Sequence, residues 1–429
     1  MAKATSSDDD TEERDFNRSD VVLFSLNDYK KKIKKEKEST MFTVKPLNQI
    51  AEIGINKLPT ADFTIDETTE NPNAYILRSY QMHGMTLGDN LLCVARAGAG
   101  TNNIPIPECT DKGIPVFNAP GGNANAVKEL VLTGLFLSSR KTLEGAAWVQ
   151  TVKDDPALEK TIEAGKKNFI GPEILGKTLG VIGLGAIGVL VANSALDLGM
   201  KVVGFDPYLS LESAWHLSPS VKRMESMDDL VSQCDYITLH TPLLDSTRHF
   251  YNAELFEKTK TGTRLLNFAR GELVDNEALL HAIDKGIIAK YVADFPEKEL
   301  LGKENVILTP HLGASTPESE DNCATMVAVA LREYLYYGNI KNSVNFPNCI
   351  VPYNGKPRIC VSHGNTVNMI GQLAGVFTKY HINIDKLVNN SKGDLAYNIV
   401  VCDTLPENEQ EIIDELYTID SVIKVRILK

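Results

Sequence analysis

What this chain has little of narrows the field first. None of its seven cysteines (Cys93, Cys109, Cys234, Cys323, Cys349, Cys360 and Cys402) stands in a C-x-x-C pair. That excludes the common thiolate zinc spacings and a thioredoxin-type redox motif. Thiols scattered in this way read as small buried hydrophobes in a reducing compartment. No apolar run approaches the ~18 residues that a membrane helix needs, and no signal-peptide pattern opens the chain. The expected location is therefore the cytoplasm. Positive charge is also in short supply, with 44 Lys and Arg against 56 Asp and Glu and a net charge of −12. Acidic surfaces repel phosphate backbones and anionic lipid, so neither nucleic acid nor a membrane is an expected partner. There is no H-x-x-x-H and no acidic triplet at a strand end, so no metal site is expected.

What remains is ordinary globular material, 43% hydrophobic and 23% charged, in 429 residues. A chain of that length holds two to three domains. Its organising stretch begins at Thr178. The apolar run Leu179–Ile182 reads as a buried strand and leads into Gly183-Leu184-Gly185-Ala186-Ile187-Gly188, a G-x-G-x-x-G. A helical pattern follows and stops at Gly199, a usual left-handed cap residue. A second strand, Lys201–Phe205, ends on Asp206. Gly183 permits the tight turn, Gly185 lets backbone N–H groups approach a pyrophosphate, and Gly188 lets the helix pack close to the strand. The helix N-terminus offers unpaired N–H groups to the phosphates. A carboxylate at Asp206 accepts hydrogen bonds from a ribose 2′-OH and repels a 2′-phosphate, which favours NAD over NADP. Strand, glycines, helix, cap, strand and acid in that order are the context that makes the motif specific.

Around that unit the chain divides. Residues 1–40 carry an acidic block (Asp8 to Glu13) and a basic one (Lys30 to Lys37) and read as a disordered charged extension. Residues 41–142 alternate strands and helices. Strands at Ala74–Leu77, Leu91–Ala95 and Ile114–Phe117 each run into a polar or glycine-rich loop, which suggests a second open α/β sheet with ligands outside the strands' carboxyl ends. Residues 143–316 form the dinucleotide domain, with further strands at Tyr236–His240, Thr263–Phe268, Ala289–Ala293 and Val306–Thr309. A helix from Pro317 to Tyr337 crosses back to complete the first domain (317–338), and 339–356 is a linker rich in Pro and Gly. Residues 357–429 read βαββαβ, a ferredoxin-like order, and carry no catalytic cluster. The expected fold class is α/β: two doubly wound, Rossmann-like or flavodoxin-like domains and a small ferredoxin-like one.

Two strand ends carry the candidate chemistry. Arg270, in Asn267-Phe-Ala-Arg270-Gly, is suited to a bidentate grip on a carboxylate. His311, in Thr309-Pro-His311, can take a hydroxyl proton as hydride leaves. A carboxylate beside His311 would orient it. Glu297 and Glu299 are both within reach in the sequence, and Asp294 is assigned to the nicotinamide side. His240, before Thr241 and Pro242, reads as lining the cofactor cleft.

These motifs, with Arg96-Ala-Gly-x-Gly100-x-x-Asn103, Phe117-Asn-Ala-Pro-Gly-Gly122 and Pro310-His-Leu-Gly-Ala-Ser-Thr316, resemble the D-isomer-specific 2-hydroxyacid dehydrogenases over about residues 41–429. The tail resembles an ACT domain. The resemblance implies an NAD-dependent oxidoreductase in which Arg270 holds the substrate carboxylate and carbonyl, His311 is the acid/base, and a glutamate supports it. Glu299 falls at the family's count, with Glu297 the alternative. It implies that Gly183, Gly185, Ala186, Ile187, Gly188, Asp206, His240, Thr241, Phe268, Ala269, Arg270, Asp294, His311, Gly313 and Ala314 face the cofactor. Arg78, Ser79, Ala97, Gly98, Ala99, Gly100 and Asn118 would face the substrate, with Arg78 placed for a phosphate. Together with the tail, this points to oxidation of 3-phospho-D-glycerate to 3-phosphohydroxypyruvate in serine synthesis. Alternatives are another 2-hydroxy acid, such as glycerate or lactate, and an NAD-sensing corepressor. The ACT resemblance further implies L-serine as an inhibitor at His363, Asn365 and Asn383, with Arg358 nearby, and a homo-dimer or homo-tetramer.

Overall fold

The computed structural model describes residues 41–429, so the expectation for residues 1–40 lies outside the described part. The first sheet has five parallel strands: β1 (Phe42–Pro46), β2 (Phe63–Ile65), β3 (Ala74–Leu77), β4 (Cys93–Arg96) and β5 (Val116–Phe117), in the order β2-β1-β3-β4-β5. The sequence reading found only the last three. β1 and β2 are half-buried edge-side strands whose mixed residues carry no apolar run. After β5 comes α1 (Ala124–Ser139), then α2 (Thr142–Thr151) and α3 (Leu158–Gly165). The last two bury no residue at all.

The second sheet is parallel throughout. It holds β6 (Thr178–Ile182), β7 (Lys201–Phe205), β8 (Lys222–Arg223), β9 (Tyr236–Leu239), β10 (Thr263–Asn267), β11 (Ile288–Ala293) and β12 (Val306–Leu308). They run in the order β12-β11-β10-β9-β6-β7-β8. The order reverses between β6 and β9, and ligands of open α/β sheets bind in the crevice at such a point. The helix α4 (Ala186–Asp197) starts there, directly after the glycines.

The helix α5 (Pro317–Tyr337) begins on Thr316, whose side chain accepts a hydrogen bond from the Ser319 N–H at 3.1 Å, and ends on Gly338 at φ 69°. Both ends are ordinary capping chemistry. Its buried Ala324, Val327, Ala328 and Leu331 share one core with Val44, Ile76, Ala95 and Phe117 of the first sheet. Gly54 is required for that contact, since a Cβ there would sit 2.6 Å from the Ala324 Cβ.

The tail is a four-stranded antiparallel sheet of β13 (Arg358–Gly364), β14 (Ile384–Lys392), β15 (Leu395–Cys402) and β16 (Val422–Leu428), in the order β14-β15-β13-β16. The helices α6 (Met369–Lys379) and α7 (Glu409–Leu416) cover one face. The other face does not stand free. Cys360, Tyr397, Ile399 and Val401 belong to the same core as α5 and the first sheet. Two arginines, buried Arg358 and half-buried Arg426, fix this docking. Arg358 donates to the Tyr337 carbonyl at 2.8 Å and the Pro352 carbonyl at 2.7 Å. Arg426 donates to the carbonyls of Tyr334 and Leu335 at 3.1 Å each and lies over the Tyr334 ring at 4.5 Å. The unpaired carbonyls at a helix C-terminus attract cations, and here the tail's sheet supplies them. Arg358 is therefore structural, which corrects the expectation that it flanks an effector.

All seven cysteines are free and buried. Among the described residues no helix is long and apolar enough to cross a membrane, and no cluster of His, Cys, Asp and Glu could hold a metal.

Candidate functional site

The glycine loop is built as its spacing requires. Gly183 stands at φ 91°, and a Cβ there would lie 2.7 Å from the His240 carbonyl carbon. Only glycine fits between the loop and β9. A Cβ on Gly188 would collide with the Gly183 carbonyl oxygen. Gly185 differs, because a Cβ there would meet nothing within 4 Å. The helix it begins has no side-chain cap, so its first N–H groups open onto free space beside exposed Ala186 and half-buried Ile187. That is an anion cradle. Asp206 closes the other side. One carboxylate oxygen accepts from the Leu184 N–H at 2.8 Å and the other from the Tyr208 N–H at 2.8 Å. Each oxygen keeps a lone pair for a ribose hydroxyl. Beside Asp206 is a cavity of 320 Å³ walled by Leu184, Leu209, Leu217 and Val221. An adenine ring suits it.

Four buried polar atoms at the strand ends have no partner in the protein: His240 Nδ1, Thr241 Oγ1, Asp294 Oδ1 and Thr309 Oγ1. Buried polar atoms rarely go unpaired unless a ligand uses them. Asp294 Oδ2 accepts from the Gly313 N–H at 3.0 Å. Burial raises the Asp294 pKa, while that N–H and His311 lower it. His240 Nε2 meets Thr238 Oγ1 at 2.9 Å, and burial pushes its pKa down to about 3, so the ring is neutral. The donors and acceptors fit NAD: phosphates at Gly185–Gly188, ribose at Asp206, and carboxamide at Asp294. Phe268 departs from expectation in one respect. Its ring is buried against α1, where Gly134 makes room for it, so only its backbone can face a cofactor. Ala269 and Ala314 stand half-buried at the strand ends.

The Arg270 turn is held by Asn267, whose side chain donates to the Arg270 carbonyl at 2.8 Å and accepts from the Ala269 N–H at 3.2 Å. Arg270 itself is exposed, with Nη1 on the Ala269 carbonyl at 2.6 Å. Its Nη2 lies 3.4 Å from where a Gly100 Cβ would stand, and Arg96 Nη1 lies 3.8 Å from that same point. Arg96 Nε donates to the Arg78 carbonyl at 3.1 Å. Burial lowers the Arg96 pKa, and the Arg78 and Arg270 cations lower it further. Arg96 and Arg270 therefore lie against the loop Ala97–Gly100, with the Arg78 cation near Arg96. Arg78 is paired with Glu320, on the first turn of α5, whose carboxylate lies 2.5 Å from Arg78 Nη1. Arg96 stands in the Arg96-Ala-Gly-x-Gly100 motif with no role implied there, although a charge ending the apolar strand β4 is a usable signal. Glu320 had none, since it lies in a polar helix start far along the chain. Ser79 is exposed next to Arg78, and Asn118 Nδ2 donates to the Ala99 carbonyl at 2.6 Å.

His311 is exposed, with its ring 4.7 Å from that of Phe295. The two candidate glutamates separate. Glu299 is exposed. Glu297 is half-buried, accepts from Asn276 Nδ2 at 2.6 Å, and sits 2.5 Å from where a Gly271 Cβ would be. The structure thus brings Glu297, not Glu299, against the Arg270 turn. The tail residues do not converge either. His363 is buried, hydrogen-bonded to the Gly364 carbonyl at 2.7 Å and to Asn398 at 2.6 Å. Asn365 reaches the Gly393 carbonyl at 3.2 Å, whereas Asn383 pairs with Asp403. Gly364 faces Leu395 and Ile384 faces Cys402, which puts the two groups at opposite ends of the sheet, ~20 Å apart at 3.3 Å per residue.

A doubly wound sheet with a glycine cradle, an acid after the second strand and an arginine and a histidine at two further strand ends defines a nucleotide-dependent dehydrogenase site. Residues 134–313 match the model for the D-isomer specific 2-hydroxyacid dehydrogenase, NAD binding domain. The chain is 35% identical over 363 residues to D-3-phosphoglycerate dehydrogenase of Synechocystis sp., which covers 82% of this chain and 61% of that protein. It is 32% identical over 353 residues to the enzyme of the same name from Haemophilus influenzae, covering 79% of this chain and 81% of that one. Among solved structures it is similar to the TT0316 protein of Thermus thermophilus, with TM-score 0.58 and 25% identity over 70% of this chain and 99% of that one. This chain belongs to the D-isomer specific 2-hydroxyacid dehydrogenases and carries their NAD-binding domain. It spans about three fifths of the Synechocystis relative and about half of several others.

Proposed function

We propose that this chain is an NAD-dependent dehydrogenase that oxidises 3-phospho-D-glycerate to 3-phosphohydroxypyruvate, the first step of L-serine biosynthesis. The observation that supports it is that Arg96 and Arg270 lie against Ala97–Gly100, with Arg78 near Arg96 and paired to Glu320. Such a site suits a substrate with both a carboxylate and a phosphate. Bound NAD supplies the hydride acceptor. Arg270 grips the carboxylate and polarises the carbonyl. The backbone N–H groups of Ala97–Gly100 complete that grip, with Asn118 holding their loop. His311 takes the hydroxyl proton in oxidation and returns it in reduction. Glu297 is the supporting carboxylate we favour over Glu299, because it is half-buried and already fixed by Asn276.

The Arg78–Glu320 pair favours a second reading. A neutralised Arg78 leaves two cations, enough for a smaller 2-hydroxy acid without phosphate. Following NADH formation with 3-phospho-D-glycerate, in the wild type and in Arg78→Ala, separates the two. The phosphoglycerate reading expects turnover whose KM rises about tenfold or more in the variant, the loss of one charge-assisted bond. No turnover with 3-phospho-D-glycerate, but turnover with lactate or glycerate, overturns it.

The chain is proposed to work in the cytoplasm as a homo-dimer or homo-tetramer. Exposed Leu143, Val149, Ile170 and Leu175 on and after α2 and α3 support association, since apolar arms without a core of their own need a partner. L-serine as inhibitor would need two copies, because His363 and Asn365 of one chain lie far from Asn383 of the same chain. An unchanged rate in millimolar L-serine removes that part.

A further inference from the structure

One cavity lies away from the cofactor cleft. It is an open hollow of 610 Å³ bordered by the loop after β5, the segment 339–356 and the edge strand β14. That volume falls in the range of ~300–1,000 Å³ usual for small-molecule sites. Its walls mix asparagines and serines with Pro120, Val344, Phe346 and Pro347, and hold one lysine and no acidic residue. Lys392 is held there by neutral groups. Its Nζ donates to the Val344 carbonyl at 2.7 Å and the Ser343 carbonyl at 3.3 Å. An ammonium has three donors, so one remains, and its charge has no carboxylate against it among the described residues. Asn390 ties the edge strand to the far wall through the Asn348 carbonyl at 2.6 Å. The exposed Ser391 sits between them. A solvent-facing charge fixed by carbonyls, beside asparagine and serine side chains in a part-apolar hollow, is a receptor for an anion.

We propose that this cavity is a second ligand site, for a small hydroxylated metabolite bearing a carboxylate or a phosphate. Lys392 meets the anionic group, and Ser391 and the surrounding amides meet the hydroxyls. The site is wired to the candidate active site. Asn118 lines the cavity, takes the Asn342 carbonyl through its N–H at 3.3 Å and holds the Ala99 carbonyl through its amide at 2.6 Å. Ala99 lies between Gly98 and Gly100, against which Arg96 and Arg270 rest. An occupant that engages Asn118 or shifts Asn342 therefore acts on the substrate loop through one hydrogen bond.

The test is calorimetric and independent of turnover. Inorganic phosphate and tartrate are titrated in parallel into the full chain, wild type, Lys392→Gln and Ser391→Asp. Lys392→Gln removes the charge. Ser391→Asp keeps the lysine and its carbonyl contacts and adds a repelling carboxylate at an exposed position, so it reports even where the first variant disturbs folding. The wild type is expected to show two classes of site for at least one probe. The class lost or weakened about tenfold or more in both variants is the cavity, and the probe that shows it identifies the anionic group. The remaining class, at the arginines, is expected unchanged. A single class in the wild type for both probes, or two classes that both variants keep, overturns the proposal.

Discussion

Three glycines in six residues do three different things, and substitution separates them. Gly185→Ala meets open space, so the melting temperature should stay near wild type while NADH affinity falls, because the methyl fills the cradle. Gly188→Ala strikes the Gly183 carbonyl oxygen and should cost about 1–3 kcal/mol, as overpacking does, with NADH binding lost as well. Thermal melts paired with NADH fluorescence titration check both. His240 gives a pH signature. Its folded pKa is pushed down to about 3 from an ordinary 6.5. Between those values the unfolded chain binds a proton that the folded chain refuses. Stability should therefore fall as pH drops through that window, by up to ~1.4 kcal/mol per unit. Urea midpoints across it should show the slope, and His240→Gln should flatten it.

The helix α5 is the element that joins distant parts of the molecule. Its first turn carries Glu320 against Arg78, and its last turn is gripped by Arg358 and Arg426. Arg358→Met leaves the Tyr337 and Pro352 carbonyls without their donor. The expected loss is about 1–3 kcal/mol, the cost of leaving a hydrogen-bond acceptor without its donor. Chemical denaturation measures it, and an unchanged midpoint would show that water replaces the guanidinium. The ends of this helix were plain in the sequence, with Thr316-Pro317 at the start and Gly338 at the stop. Its partners were not, because each lies on a segment remote in the chain.

At the scale of the whole molecule the tail is part of the body. Cys360, Tyr397, Ile399 and Val401 close the core that also contains Phe117 and Leu331. A chain ending at Gly338 exposes that apolar face, and exposed patches of this kind drive association. Gel filtration of residues 41–338 beside residues 41–429 should show aggregates only for the shorter chain. A monodisperse shorter chain would mean that the docking is loose. The tail's topology was readable from its βαββαβ order, but that it is docked was not.

The sequence by itself determined the parts whose chemistry is local. Glycine spacing, apolar strands, capping residues and the acid at Asp206 act on neighbours within one βαβ unit, so their meaning survives without the fold. The class of cofactor and the doubly wound sheets follow from them. The tertiary structure decided what depends on who meets whom across the chain. It turned Glu297 toward the Arg270 turn and left Glu299 in solvent. It added Arg96 and Glu320 to the site, moved Arg358 from effector to clamp, and set Asn383 apart from His363. Hydrogen bonds and charges act over a few ångströms, and linear spacing does not report which distant side chains come within that reach.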